Sequence, residues 1–221
     1  MNTLPSSERI LSVTAHPDDL EMHHSALLSR ADKAFAIIAS DGEGTTLNYT
    51  QRPIDVARER RGESERSLAL LGITGTYLAL PDGQLHTTGY RDVLTQAVIS
   101  SVLEHDITAI ASLGESGYCG HSDHVASHTA ATHAQDILAA EYNKEIALYA
   151  LDHSDAAEII VPVDRQRKLA AVAIHATQFQ NGPNGAIDPT FWATRADTYD
   201  PLLERESYSL QHARVLAATL I

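Results

Sequence analysis

The stretch Ile10-Leu11-Ser12-Val13-Thr14-Ala15-His16-Pro17-Asp18-Asp19-Leu20-Glu21 decides the fold. Its first five residues are a short, mostly apolar run of the kind that makes a buried strand. At the end of that run stand a histidine and two adjacent carboxylates, where open α/β sheets hold their ligands. Pro17 fixes φ and removes a backbone donor, so the chain leaves the strand through a tight turn. His16 and Asp19, three apart around that turn, can converge on one cation. Far downstream, Gly120-His121-Ser122-Asp123-His124 offers the third ligand, a second histidine nitrogen. Two histidines and a carboxylate with an open position are a hydrolytic zinc arrangement.

Outward from that strand the same alternation repeats. Strands are expected at Ile10 to Thr14, Phe35 to Ala39, Thr76 to Leu80, Thr108 to Ser112 and Ile146 to Leu151. Helices are expected at Ser25 to Asp32, Pro53 to Leu71, Tyr90 to Glu104 and Asp123 to Ala140. Pro53 suits a first helical turn, and Gly72 supplies a left-handed cap after Leu71. Glu158 to Val163 reads as a further strand whose Pro162 favours a sheet edge, and Arg165 to Thr177 reads as a helix. Alternating βα units imply an α/β, Rossmann-like three-layer fold with a mostly parallel sheet. The tract from Asn181 to Pro201 is too long for a simple connection and reads as a substrate-facing lid or a surface loop.

At 221 residues and 43% hydrophobic content, the chain suits one domain spanning residues 1–221. A net charge of −13 with no uninterrupted basic block argues against nucleic acid or anionic membrane partners. No apolar run is long enough to span a membrane. Residues Met1 to Arg9 lack the pattern of a signal peptide. The single cysteine, Cys119, cannot form an internal disulfide, and a reducing cytoplasm is expected. The sequon Asn48-Tyr49-Thr50 then carries no meaning. The oligomeric state is open, with a homo-oligomer among the assemblies allowed.

Ala15-His16-Pro17-Asp18-Asp19 resembles the AHPDD signature of the PIG-L-type zinc-dependent N-deacetylases, and His121-Ser122-Asp123-His124 resembles that family's HPDH. His175-Ala176-Thr177-Gln178 is a weaker match to its H-x-S-Q. Arg60, Glu63 and Leu70-Leu71-Gly72 match a helix pattern, and Pro81-Asp82-Gly83 a loop pattern. Where the family has a glycine-rich stretch after its first motif, this chain carries Met22-His23-His24-Ser25-Ala26. The resemblance implies a zinc-dependent hydrolase removing acetyl from an N-acetylglucosamine-type sugar conjugate. The alternatives are an amidase for a larger acyl or thiol-sugar conjugate, or a non-catalytic metal-binding protein.

By that resemblance His16, Asp19 and His124 are the metal ligands, for Zn2+ or another divalent ion in its place. Zinc would acidify a bound water and polarise the amide carbonyl. Adjacent side chains diverge, so Asp18 does not share the metal with Asp19. It is expected as the general base that later protonates the leaving amine. With a helix opening at Asp123, His121 falls at a terminus that favours negative charge, and is expected to donate, protonated, to the oxyanion. Asp123 is expected to fix a histidine tautomer. The resemblance makes Arg60 a substrate contact, with Arg58 and Arg61 as neighbours able to replace it. Asp82 is expected either to bind sugar hydroxyls or to be a turn residue. Tyr118 is a further candidate near the oxyanion. His128 shares a helical face with His124 and is read as a packing residue; it and Glu21 are the reserves for the base.

Overall fold

The computed structural model describes residues 8–45, 52–152, 157–179 and 203–212. Seven strands form one sheet in the order β3-β2-β1-β4-β5-β7-β6. They are β1 (Arg9–Thr14), β2 (Lys33–Ser40), β3 (Thr74–Leu80), β4 (Ala109–Ser112), β5 (Ala147–Leu151), β6 (Ile159–Pro162) and β7 (Arg205–Gln211). The first five run parallel, whereas β7 lies antiparallel to both β5 and β6. The expected mostly parallel sheet is therefore present, and Pro162 does lie on an edge strand. The sequence reading missed β7.

Alternation along β1 divides the core into two layers. Leu11 and Val13 join Ile37, Ile110 and Leu148 on one face, with residues of α4 (Thr88–Glu104) and α6 (Ser122–Tyr142). Ile10 points the other way, to Ala36, Ala109 and Tyr149. There it meets Leu27 and Leu28 of α2 (Ser25–Leu28) and Leu68 of α3 (Pro53–Leu71). Strands covered on both faces need apolar side chains in both directions, which explains near-continuous runs such as Phe35 to Ala39.

Helix α3 has the expected bounds. Pro53 is at its first turn, and Gly72 caps it at φ 75°, a backbone angle that favours glycine. Two expected helices are corrected. The segment after β1 is not one helix from Ser25 to Asp32 but two short ones, α1 (Asp19–His23) and α2, broken at His24. Asp18 caps α1, so the helix begins inside the quoted motif rather than after it. The helix expected from Arg165 to Thr177 is α7 (Arg165–Val172), followed by α8 (Ala176–Phe179), with His175 between them.

From β1 the chain moves outward to β2 and β3, then returns to place β4 and β5 on the other side. The order reverses between β1 and β4, and in such sheets the loops at that point diverge to leave a crevice. The turn after β1 and the segment Leu113 to His124 after β4, which contains the short helix α5 (Gly117–Gly120), both open there. No described helix is long and apolar enough to cross a membrane. The tract Asn181 to Pro201 and the sequon lie largely or wholly outside the described residues.

Candidate active site

A cavity of about 470 Å³ lies at this crevice, lined by His16, Asp18, Asp19, Arg60, Asp82, His121 and His124 among others. Nδ1 of His16 is 3.2 Å from Nε2 of His124. Asp19 approaches both, with Oδ1 at 3.2 Å from His124 Nε2 and Oδ2 at 3.6 Å from His16 Nδ1. All three residues are buried. The Asp19 carboxylate is fixed by the backbone N–H groups of Ala15 and His16, which donate to Oδ2 at 3.1 and 2.8 Å. The turn that Pro17 enforces thus aims Asp19 back at His16.

The outer nitrogens of both histidines are anchored. His16 Nε2 donates to Asp82 Oδ1 at 3.0 Å, and Asp123 Oδ2 lies 3.6 Å away. His124 Nδ1 donates to the Gly117 carbonyl at 3.1 Å. With those protons committed outward, His16 Nδ1 and His124 Nε2 are the nitrogens left to face Asp19. Imidazoles anchored on a carboxylate or a carbonyl are the usual support of a metal site. The donor set therefore fits a divalent cation of the zinc type, with two nitrogens and a carboxylate whose ligand atoms lie within 4.8 Å of one another.

Electrostatics point the same way. Burial works against a charged His16, but Asp123, Asp19 and Asp82 outweigh it and hold its pKa well above the ordinary value. Burial also opposes charge on His124, yet Asp19 holds it up to about 10. Burial would raise Asp82, but the His16 hydrogen bond and charge bring it down to about 2. The carboxylates of this site thus favour positive charge among them.

The remaining candidates fall into place around this centre. Asp18 lines the cavity, and Arg60 Nη2 donates to its Oδ1 at 2.8 Å. The other guanidinium arm, Nη1, donates to the Gly42 carbonyl at 2.7 Å. Gly42 has φ 69°, and a Cβ there would lie 2.1 Å from Arg60 Nη1, so glycine is required twice over. Arg60 is buried on the inner face of α3, with two donors engaged inside the protein. Arg58 pairs with Asp55 and Arg61 with Asp41, so neither stands in for it.

His121 caps α6, with the Asp123 backbone N–H donating to its Nδ1 at 3.2 Å. That bond needs a lone pair on Nδ1 and leaves Nε2 to carry the proton. Burial and the charges of His16 and His124 also lower its pKa. The cap favours a ring that carries its proton on Nε2, whereas the imidazolium was expected for the reaction itself. Asp123 is fully buried, accepting from Gly83 and Leu85 at 2.7 and 3.1 Å, and so ties the Pro81-Asp82-Gly83 loop to α6. Its Oδ2 lies 3.6 Å from His16 Nε2, and its carboxylate is also within 4.8 Å of a His121 ring nitrogen.

His128 is a packing residue as read: its Nδ1 is 2.8 Å from Ser112 Oγ, and it does not line this cavity. Glu21 is fully buried 3.2 Å from His175 and is likewise absent from the lining. Gln178 reaches the cavity, while Thr177 bonds Glu63 on α3. Met22 and His23, from the stretch that replaces the family's glycine-rich one, share a cavity wall with Cys119 and Phe179, and sequence reasoning missed the last two and the wall as a whole. No local pattern marks it, because these residues meet only through the fold.

The class that fold and site define is an open α/β sheet with a candidate His-Asp-His metal site at its switch point. Within that class, a sequence model of the PIG-L family, described as GlcNAc-PI de-N-acetylase, matches residues 11–135, more than half of the chain. The chain belongs to that family. A curated relative, the 1D-myo-inositol 2-acetamido-2-deoxy-alpha-D-glucopyranoside deacetylase of Nocardioides sp., is 25% identical over 181 residues. That match covers 63% of this chain and 58% of the relative. The N,N'-diacetylchitobiose deacetylase of Pyrococcus horikoshii superposes with a TM-score of 0.73 at 18% identity, covering 96% of this chain and 88% of that one. The 4-carboxy-2-hydroxymuconate hydratase of Pseudomonas putida has TM-score 0.66 and 14% identity, covering 94% and 98%. One fold thus accompanies two chemistries, so the argument for function must come from the site.

Proposed function

We propose that this protein is a divalent-metal-dependent N-deacetylase, with zinc as its metal, acting on an N-acetylglucosamine-type sugar conjugate. The observation that carries the reading is the convergence of His16 Nδ1, His124 Nε2 and Asp19 within 3.2–3.6 Å, with Asp18 on the same cavity. The curated deacetylase relative supports the substrate class. We further propose that residues 1–221 act as one deacetylase domain in a cytoplasmic setting.

His16, Asp19 and His124 would hold the cation, which when bound supplies Lewis acidity toward the amide carbonyl and acidifies a water. Asp18 takes the proton of the attacking water and passes it to the departing amine. Arg60 orients Asp18 from behind, so we assign it a positioning role in place of direct substrate contact. His121 donates its Nε2–H to the carbonyl oxygen as charge develops there. Asp82 and Asp123 steady His16 through Nε2.

A longer acyl group is the second reading, favoured by the apolar side chains of Met22 and Phe179 on the cavity wall. A purely structural metal site has no use for Asp18 held beside it by a buried arginine. Acetate release from N-acetylated sugar conjugates, measured with metal-loaded and chelator-treated protein, tests the main reading. Longer N-acyl conjugates in the same panel test the second. No amine release from any member by the loaded protein would overturn both.

A further inference from the structure

Helix α1 ends on His23, a residue in the segment that replaces the glycine-rich stretch of related sequences. His23 is 4% exposed and lines the cavity, yet its Nδ1 is buried without a hydrogen-bond partner. Burying a polar nitrogen unbonded is costly, and an apolar side chain of similar size would avoid that cost.

The residue is held firmly in place. Its carbonyl accepts from the Tyr208 hydroxyl at 2.7 Å, and its ring packs on Tyr118 with centroids 4.5 Å apart. Tyr118 itself takes φ 62° and ψ −58°, a strained backbone for a non-glycine residue and one that marks functional sites. Burial dominates the titration of His23 and pushes it well below the ordinary histidine value. The ring is therefore neutral, with one N–H donor and one lone pair, a set that a hydroxyl can match from either side. No step of the proton path assigned to Asp18 and His121 uses it.

We propose that His23 is a specificity-determining residue, whose imidazole hydrogen-bonds a ring hydroxyl of the sugar beside the Tyr118 ring. The proposal rests on the N-deacetylase reading and names a contact that selects among its substrates. A neutral hydrogen bond of this kind is worth roughly two- to tenfold in affinity.

The test uses the methyl glycoside of N-acetylglucosamine and the counterparts that each lack one ring hydroxyl. Binding by calorimetry and turnover by amine release are measured for the metal-loaded wild type, His23→Phe and His23→Asn, with metal content and unfolding midpoint as controls. His23→Phe keeps a ring and removes both nitrogens; His23→Asn restores a polar group near Nδ1. The wild type should bind one deoxy sugar roughly two- to tenfold more weakly than the parent. His23→Phe should bind the parent that weakly and show no further loss for that one analogue, with the change in KM exceeding that in kcat. His23→Asn should recover part of the discrimination. Should His23→Phe not fold, His23→Leu serves the same comparison. Wild-type turnover with equal discrimination in all variants, or a loss uniform across the series, overturns the His23 contact and leaves the deacetylase reading standing. A wild type that neither binds nor hydrolyses any of these sugars overturns both.

Discussion

Arg60 Nη2 lies 2.8 Å from Asp18 Oδ1, joining the middle of α3 to the residue that caps α1. A guanidinium hydrogen-bonded to a carboxylate fixes the direction of its oxygens, which a general base requires. Asp18→Asn preserves shape and removes the basic oxygen. It should keep metal and fold while losing about 10²–10⁴ in turnover. Metal analysis beside steady-state rates checks this, and near-normal turnover would remove Asp18 from the proton path.

The two histidines that flank Asp123 should separate cleanly. His124→Ala is expected to strip the metal, because its Nε2 faces Asp19 at 3.2 Å. His121→Ala should retain the metal and slow the reaction by about 10²–10³, the usual cost of one oxyanion donor. Stoichiometry by elemental analysis decides between them. Loss of metal in His121→Ala alone would reverse the assignment.

Asp82 supports His16 from behind at 3.0 Å. Removing the carboxylate that orients a metal-binding imidazole typically weakens the metal about 10–100-fold. Asp82→Ala should do so in a competition assay against a chromophoric chelator. Unchanged metal affinity with a raised KM would return Asp82 to the role of sugar contact.

Metal affinity should rise with pH. In the metal-free protein Asp19 outweighs burial and holds His124 up to about 10, above its ordinary 6.5. A raised folded-state pKa stabilises fully below about 6.5, and that contribution is lost as pH climbs through about 10. Proton and cation compete for the same nitrogen, so affinity should increase across this window and binding should release protons. Calorimetry in buffers of different ionisation enthalpy measures the release. PH-independent affinity with no release would place the cation elsewhere.

Away from the site, Lys168 on α7 and Glu206 on β7 form an ion pair at 2.9 Å, both fully buried or nearly so. Glu206 also accepts from the backbone N–H groups of Ala26 and Leu27, at the start of α2. Lys168→Met leaves that carboxylate buried without its countercharge. It should destabilise the protein by about 3–5 kcal/mol, read from denaturant unfolding. A change below 1 kcal/mol, about the size of a surface ion pair, would show that the backbone donors and the Ser25 and Tyr208 hydroxyls satisfy Glu206 without the lysine.

The parallel half of the sheet was legible because its signal is local. Apolar runs, Pro53 and Gly72 act through nearest neighbours, and so their elements appear where the pattern places them. The strand β7 was not legible: Arg205-Glu206-Ser207-Tyr208 carries a polar load that reads as a loop. Its Glu206 and Tyr208 are buried only because Lys168, α2 and His23 supply partners from distant parts of the chain.

The same division runs through the site. His16, Asp18, Asp19 and the His121–His124 segment could be picked from sequence, since a strand-end turn and a helix start fix their relative directions over a few residues. What they do there was decided by tertiary structure. Arg60 and Asp82, read from sequence as candidates for touching substrate, are turned onto Asp18 and His16. His121 gives up its Nδ1 to a backbone N–H and lines the same cavity. Local sequence specifies which groups the chain brings to the end of a strand. Whether each finds a substrate or another side chain depends on long-range packing, because a buried polar group takes the partner that relieves its desolvation, and that partner can come from anywhere in the chain.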